Sequence, residues 1–153
     1  MSWDAFEKAP ENGGKYLRLK GGESAIGIFV GQPRVFYKSF KTKEERDTPG
    51  PAGSDFKWRF QINFLTKEDG KEVMKIFEQG MAVRSTLKAV KEEYGLDCVY
   101  KIVRKGSGID DTEYSILFKE ALTPERLTQI KSIPLNELKP SGSDDIDFDP
   151  ANF

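Results

Sequence analysis

A mainly β domain with one helix inserted before its last two strands is what this 153-residue sequence predicts. Three observations carry that expectation. Residues 56–64 run Phe56-Lys57-Trp58-Arg59-Phe60-Gln61-Ile62-Asn63-Phe64, a strict alternation that gives a strand one apolar and one polar face. The run Lys67-Glu68-Asp69-Gly70 then turns this strand into a second one. Within residues 81–94, Val83, Leu87, Val90 and Tyr94 recur at spacings of three and four, the period of an amphipathic helix.

The other elements follow in order. Trp3 and Phe6 read as an anchor for a short N-terminal segment, and residues 16–20 as a lead-in strand ending at the turn Lys20-Gly21-Gly22-Glu23. Residues 24–40 form one long strand broken at Gly31-Gln32-Pro33, where glycine and proline suit a bulge or bend. Residues 41–55 contain Pro49, Gly50, Pro51 and Gly53 and are a loop. Strands are expected over 56–66 and 71–79, and Gly95 closes the helix of 81–94. Residues 98–104 and 114–119 are two further strands, joined by a Gly/Asp-rich connection. Gly106-Ser107-Gly108 is a hairpin tip there, because a phosphate loop needs more glycines and a following helix. Thr123-Pro124-Glu125 opens a short helix with an N-cap and a first-position proline. Strand, long loop, strand, strand, helix, strand, loop, strand is the order of the OB-fold, a five-stranded Greek-key barrel with a helix between its third and fourth strands. The chain divides into that domain, residues 1–139, and a flexible tail, residues 140–153.

Composition narrows the chemistry. With no histidine and a single cysteine, Cys98, there is no Ser-His-Asp triad, no Cys-His pair, no zinc site of Cys/His type and no intrachain disulfide. Glu44, Glu45, Asp47, Asp110 and Asp111 form small carboxylate clusters, which read as solvated turns rather than metal ligands. These absences remove the commonest hydrolases and every zinc finger, and no cofactor is expected. No apolar run approaches the ~20 residues of a membrane span, and the N-terminus lacks the basic and apolar regions of a signal peptide, so a soluble, cytoplasmic protein is expected.

OB barrels often bind single strands on the face of their second and third strands, between two flanking loops. Those loops correspond to residues 41–55 and 105–112. Around the first, Arg34, Lys38, Lys41, Lys43 and Arg46 interleave with Phe36, Tyr37 and Phe40. Cations neutralise phosphates while aromatic faces stack on any base, the requirement for binding without sequence preference. In the second strand, Lys57, Arg59 and Gln61 share the polar face. Trp58 belongs to the apolar one, and is either core or a residue reaching the groove from the strand's open end. In the third, burial of Met74 and Ile76 would turn Lys75 and Phe77 outward, where Phe77 either stacks on a base, or packs under the helix or makes a dimer contact. The phase of residues 35–40 is ambiguous across Pro33; the phase of Phe36, Lys38 and Phe40 is preferred over that of Val35 and Tyr37. Lys101, Arg104 and Lys105 line the groove's far wall or a solvated edge. Arg84, Lys88 and Lys91 read as the ordinary charged face of a surface helix.

Charge is segregated. All 24 Lys and Arg lie at or before Lys139, whereas four of the 25 acids, Asp144, Asp145, Asp147 and Asp149, follow it, so a body of +3 carries a tail of −4. The tail also holds Ile146, Phe148 and a terminal Phe153. An acidic, aromatic segment too short to bury itself suits capture by a basic, apolar pocket, or competition with nucleic acid for a groove on its own body.

The single-barrel order, the basic-aromatic segments 34–46 and 56–64, and the tail together resemble the small single-stranded DNA-binding proteins of tailed phages. Asp144-Asp145-Ile146-Asp147-Phe148 and the terminal Phe153 are similar to the Asp-Asp-Ile-Pro-Phe ending of the bacterial single-stranded DNA-binding protein, with aspartate in the proline's place. This resemblance implies a role in DNA replication, recombination or repair, without catalysis, with the tail recruiting partner proteins. A single-stranded RNA-binding protein, an interaction adaptor and a metal-dependent nuclease relying on Asp110 or Asp111 are the other readings of these residues.

Overall fold

The computed structural model describes residues 15–106, 108 and 112–138. Trp3, Phe6, Asp110, Asp111 and the whole 140–153 segment lie outside the described residues. The elements are β1 (Ser24–Ser39), β2 (Glu45–Arg46), β3 (Phe56–Glu68), β4 (Lys71–Gly80), α1 (Met81–Tyr94), β5 (Cys98–Lys105), β6 (Glu113–Ala121) and α2 (Pro124–Lys131). They build one antiparallel sheet in the order β4-β3-β1-β5-β6, with the two-residue β2 attached to β1.

The helix of 81–94 and the hairpin before it stand where the sequence places them. Asp69 (φ 52°) and Gly70 (φ 79°) are both left-handed, as a two-residue turn between twisted strands demands. Gly95 (φ 79°) ends α1 and donates its N–H to the Lys91 carbonyl. The buried Tyr100 hydroxyl donates to the carbonyl oxygens of Gly95 at 2.5 Å and Val90 at 3.3 Å, tying the helix end to β5. Burial pushes this phenol up to about 12. Thr123 caps α2 by accepting from the Arg126 N–H, and Pro124 begins it.

The bend in β1 organises the sheet. Its pairing with β3 shifts register between Val30 and Arg34, around Gly31 (φ 80°). The half before the bend lies between β3 and β5; the half after it lies between β3 and β2. At Gly27, beside both neighbours, a Cβ would overlap the Leu65 carbonyl oxygen and the Phe64 ring.

Two expectations change. Residues 16–20 make an isolated parallel bridge from Tyr16 to Ile76 rather than a strand: Leu17 N–H donates to the Ile76 carbonyl, Ile76 N–H to that of Lys15, and then the chain leaves β4 for the turn at 20–23. The sheet is also open rather than a closed barrel. Among the described residues no ladder joins β4 to β6; α1 packs against β6, β4 and β3, and the edge strands meet through side chains, with the Phe77 and Tyr114 rings 6.2 Å apart.

The inner face of this curled sheet, roofed by α1, holds the main core: Phe29, Phe60, Ile62, Phe64, Phe77, Tyr100, Ile102 and Ile116 against Val83. On the outer face, Ile130 of α2 covers Ile28 and Leu65. Asn136 continues this cover by exchanging two hydrogen bonds with the Asn63 side chain. The sheet is therefore covered on both faces along much of β3, which limits where a ligand can reach it.

Candidate nucleic-acid interface

From Arg59 to Asn63 the polar face of β3 is buried. Register sets Arg34 opposite Gln61, Phe36 opposite Arg59, and Gln61 opposite Glu78. The Glu78 carboxylate accepts from Lys38 Nζ at 3.2 Å, Arg59 Nε at 3.2 Å and Gln61 Nε2 at 2.8 Å. Arg34 donates to Glu45 at 2.9 Å and lies over the Phe36 ring at 4.2 Å. Phe36, Lys38, Arg59 and Gln61 are all under 5% exposed. Burial pulls the Arg59 guanidinium below its ordinary pKa while Glu78 opposes the shift, as expected of a desolvated cation held by a counter-charge. These side chains form a closed polar layer, not a surface awaiting phosphates.

Three more expected positions turn inward. Phe77 pairs with Ile62 and is 1% exposed, so it belongs to the core and not to an outward platform. Lys75, in the same phase, is buried and paired with Glu68 at 3.2 Å. The outward phase inferred from Met74 and Ile76 fails because α2 and residues 132–138 supply a second apolar layer, so both faces of β4 are buried. Arg104 is likewise buried, donating to the Leu19 carbonyl at 2.7 Å.

An accessible basic-aromatic row stands at the open end of the inner face instead. Arg46 pairs with Tyr37, and Tyr37 with Trp58, across β2, β1 and β3. Residues directly opposite in antiparallel strands project to the same side, so the three form one line. Arg46 also lies 4.6 Å over the Phe56 ring, and Arg84 of α1 lies 5.9 Å from the Trp58 ring centre. Tyr37, Phe56 and Trp58 are half-buried, while Arg46 and Arg84 are exposed. Partly exposed rings set among cations are the elements of a stacking platform.

The sequence names Arg46, Tyr37 and Trp58 but prefers the wrong phase of β1. Phe36 and Lys38 share the outer side and are buried; Val35 and Tyr37 share the inner side and stay accessible. Phe40, Lys41, Lys43 and Lys57 are exposed on the segments bordering the row. Lys101 and Lys105 are not brought to it: Lys101 pairs with Ile26, in the half of β1 before the bend, and Lys105 with Glu113. Arg84 is the residue that sequence reasoning set aside. Its signal lies in the turn: a two-residue hairpin at Asp69-Gly70 sets Gly80 opposite Arg59, so the first turn of α1 starts beside Trp58.

The 41–55 loop is pinned by Asp55, which accepts from Ser39 Oγ at 2.9 and 3.1 Å and from the Lys41 N–H at 2.8 Å. The Lys41 N–H is the leading cause that holds this carboxyl below the usual carboxylate range, with the Ser39 hydroxyl adding to it against desolvation. A depressed folded-state pKa contributes stability above the unfolded value and loses it as pH falls through the folded one. Protease nicking of residues 41–55 is therefore expected to rise below pH 4, and Asp55→Asn to show the faster nicking already at pH 7. Equal rates for both proteins at both pH values would refute this pinning.

Among the described residues no group of three or more Cys, Asp or Glu side chains is arranged to hold a metal ion, and no helix is long and apolar enough to cross a membrane. No family model, curated protein or solved structure matches the chain.

Proposed function

We propose that this protein binds single-stranded DNA without sequence preference, in replication, recombination or repair, on an OB-type barrel left open between β4 and β6. The observation that carries the reading is the row Arg46–Tyr37–Trp58 with Arg84 beside it. Two aromatic faces accept any base, and the cations beside them take the phosphates. The strand order of the sheet supports the same assignment, as it is that of an OB barrel without its closing ladder. The tail, residues 140–153, recruits partner proteins and competes with DNA for the basic site.

Fluorescence anisotropy with labelled oligo-dT tests this. Binding is expected at low salt and is lost as salt rises. Deleting residues 140–153 removes four aspartates and tightens binding at low ionic strength, with the difference shrinking as screening increases. No binding by either form overturns the function; equal low-salt affinities overturn the competition. An RNA oligomer competing as well as DNA would broaden the ligand to single strands of either sugar.

A further inference from the structure

The exposed cations of α1 border a surface that an ordinary solvated helix face does not have. Arg84, Lys88 and Lys91 stand at i, i+4 and i+7, on one side of the helix. They line an open groove of about 250 Å³ whose opposite wall includes Pro33, Val35 and Trp58. Among the described residues no carboxylate lines this groove, and no ion pair engages the three cations. By contrast, Arg34, Lys38, Arg46, Arg59, Lys75 and Arg126 each have a carboxylate partner. Val35 is 54% exposed although it faces the same side as Tyr37, so the groove prolongs the aromatic row.

We infer that α1 is the backbone track of the bound strand: Arg84, Lys88 and Lys91 take successive phosphates while bases lie over Trp58 and Val35. This rests on the single-strand reading above and extends its site from the sheet to the helix. Charge complementarity selects the occupant. A wall carrying three cations facing an apolar wall fits a polyanion that also presents flat apolar rings. Seven residues of helix span about 10 Å, room for neighbouring phosphates of one extended strand. The Trp58 ring, under Arg84 and in line with Tyr37, joins the two parts of the path.

The test is a salt titration of oligo-dT affinity for wild type, for Lys88→Gln/Lys91→Gln, and for Lys20→Gln/Lys131→Gln, which loses the same charge at exposed positions outside the groove. Thermal unfolding checks that all three are equally folded. Each phosphate contact contributes about 0.7 to the slope of log affinity against log salt for a single strand. The α1 variant is expected to lose about 1.4 of that slope, and the control pair clearly less. If wild type binds and the α1 variant keeps its slope and affinity, the track is wrong while the function stands; if wild type does not bind, the function itself fails. If the α1 variant binds DNA normally but no longer binds a synthetic peptide of residues 144–153, the groove is a peptide dock and the inference is overturned.

Discussion

Replacing Tyr37 and Trp58 together with alanine is expected to weaken oligo-dT binding by about 2–6 kcal/mol, since each base-stacking aromatic contributes roughly 1–3 kcal/mol. The lower figure is already about thirtyfold in Kd. Trp58 also packs on the core, with its ring 5.9 Å from Phe60, so part of the double variant's effect is structural. Tyr37→Ala and Trp58→Phe separate the two contributions. Tyr37 borders no core cluster, so its truncation should leave thermal stability nearly unchanged while costing about 1–3 kcal/mol of binding. Trp58→Phe should retain most of the affinity, because a smaller ring still stacks. Phe118→Ala, a change of the same kind beside Tyr94 on the opposite side of the sheet order, should leave binding intact. Equal affinities for wild type and Tyr37→Ala would remove the platform.

The second large effect concerns stability. Glu78→Ala removes the carboxylate shared by Lys38 and Arg59, whose side chains are about 95% buried. Breaking a buried pair from one side typically costs about 3–5 kcal/mol, because the cations stay desolvated after their shared carboxylate is gone. That is a large share of the 5–15 kcal/mol that holds a typical domain. Urea unfolding should show a clearly lowered midpoint. Glu78→Gln, which keeps one acceptor oxygen but not the charge, should fall between. DNA binding by the folded Glu78→Gln protein is expected to match wild type. Had the polar face of β3 been the interface, loss of this acid would expose Lys38 and Arg59 to phosphates and tighten binding. The variant therefore distinguishes the buried outer layer from the accessible inner row, and tightened binding would reverse their assignment.

Local pattern made most of the fold legible. Strict alternation in 56–64, the Asp69-Gly70 turn, the three-four spacing of α1 and the Thr123-Pro124 cap each act within a few residues. Such signals survive whatever the rest of the chain does. Reading failed where a distant segment decided the outcome. The charged face of β3 looks solvent-facing because alternation usually separates core from water. Here Glu78 from β4, Arg34 from β1, and Asn136 from beyond α2 satisfy it in place. For Phe77 the structure selects packing under the helix over base stacking, because burial of Ile76 does not force its neighbour outward when both faces are covered. The site was half-legible. Tyr37, Arg46 and Trp58 are all in the basic-aromatic segments, but the phase beyond Pro33 depends on how many residues the bend absorbs between Val30 and Arg34, which composition does not encode. Closure of the sheet was equally out of reach, because it depends on how α1 fills the space between β4 and β6.

The most direct measurement uses Trp58 itself. The chain has two tryptophans, Trp3 and Trp58, so a Trp3→Phe variant reports on Trp58 alone. Titrating it with oligo-dT at low salt is expected to quench Trp58 emission to saturation, with the same midpoint as anisotropy and with recovery when salt is raised. Unchanged Trp58 emission while anisotropy records tight binding would place the strand elsewhere and contradict the Arg46–Tyr37–Trp58 interface.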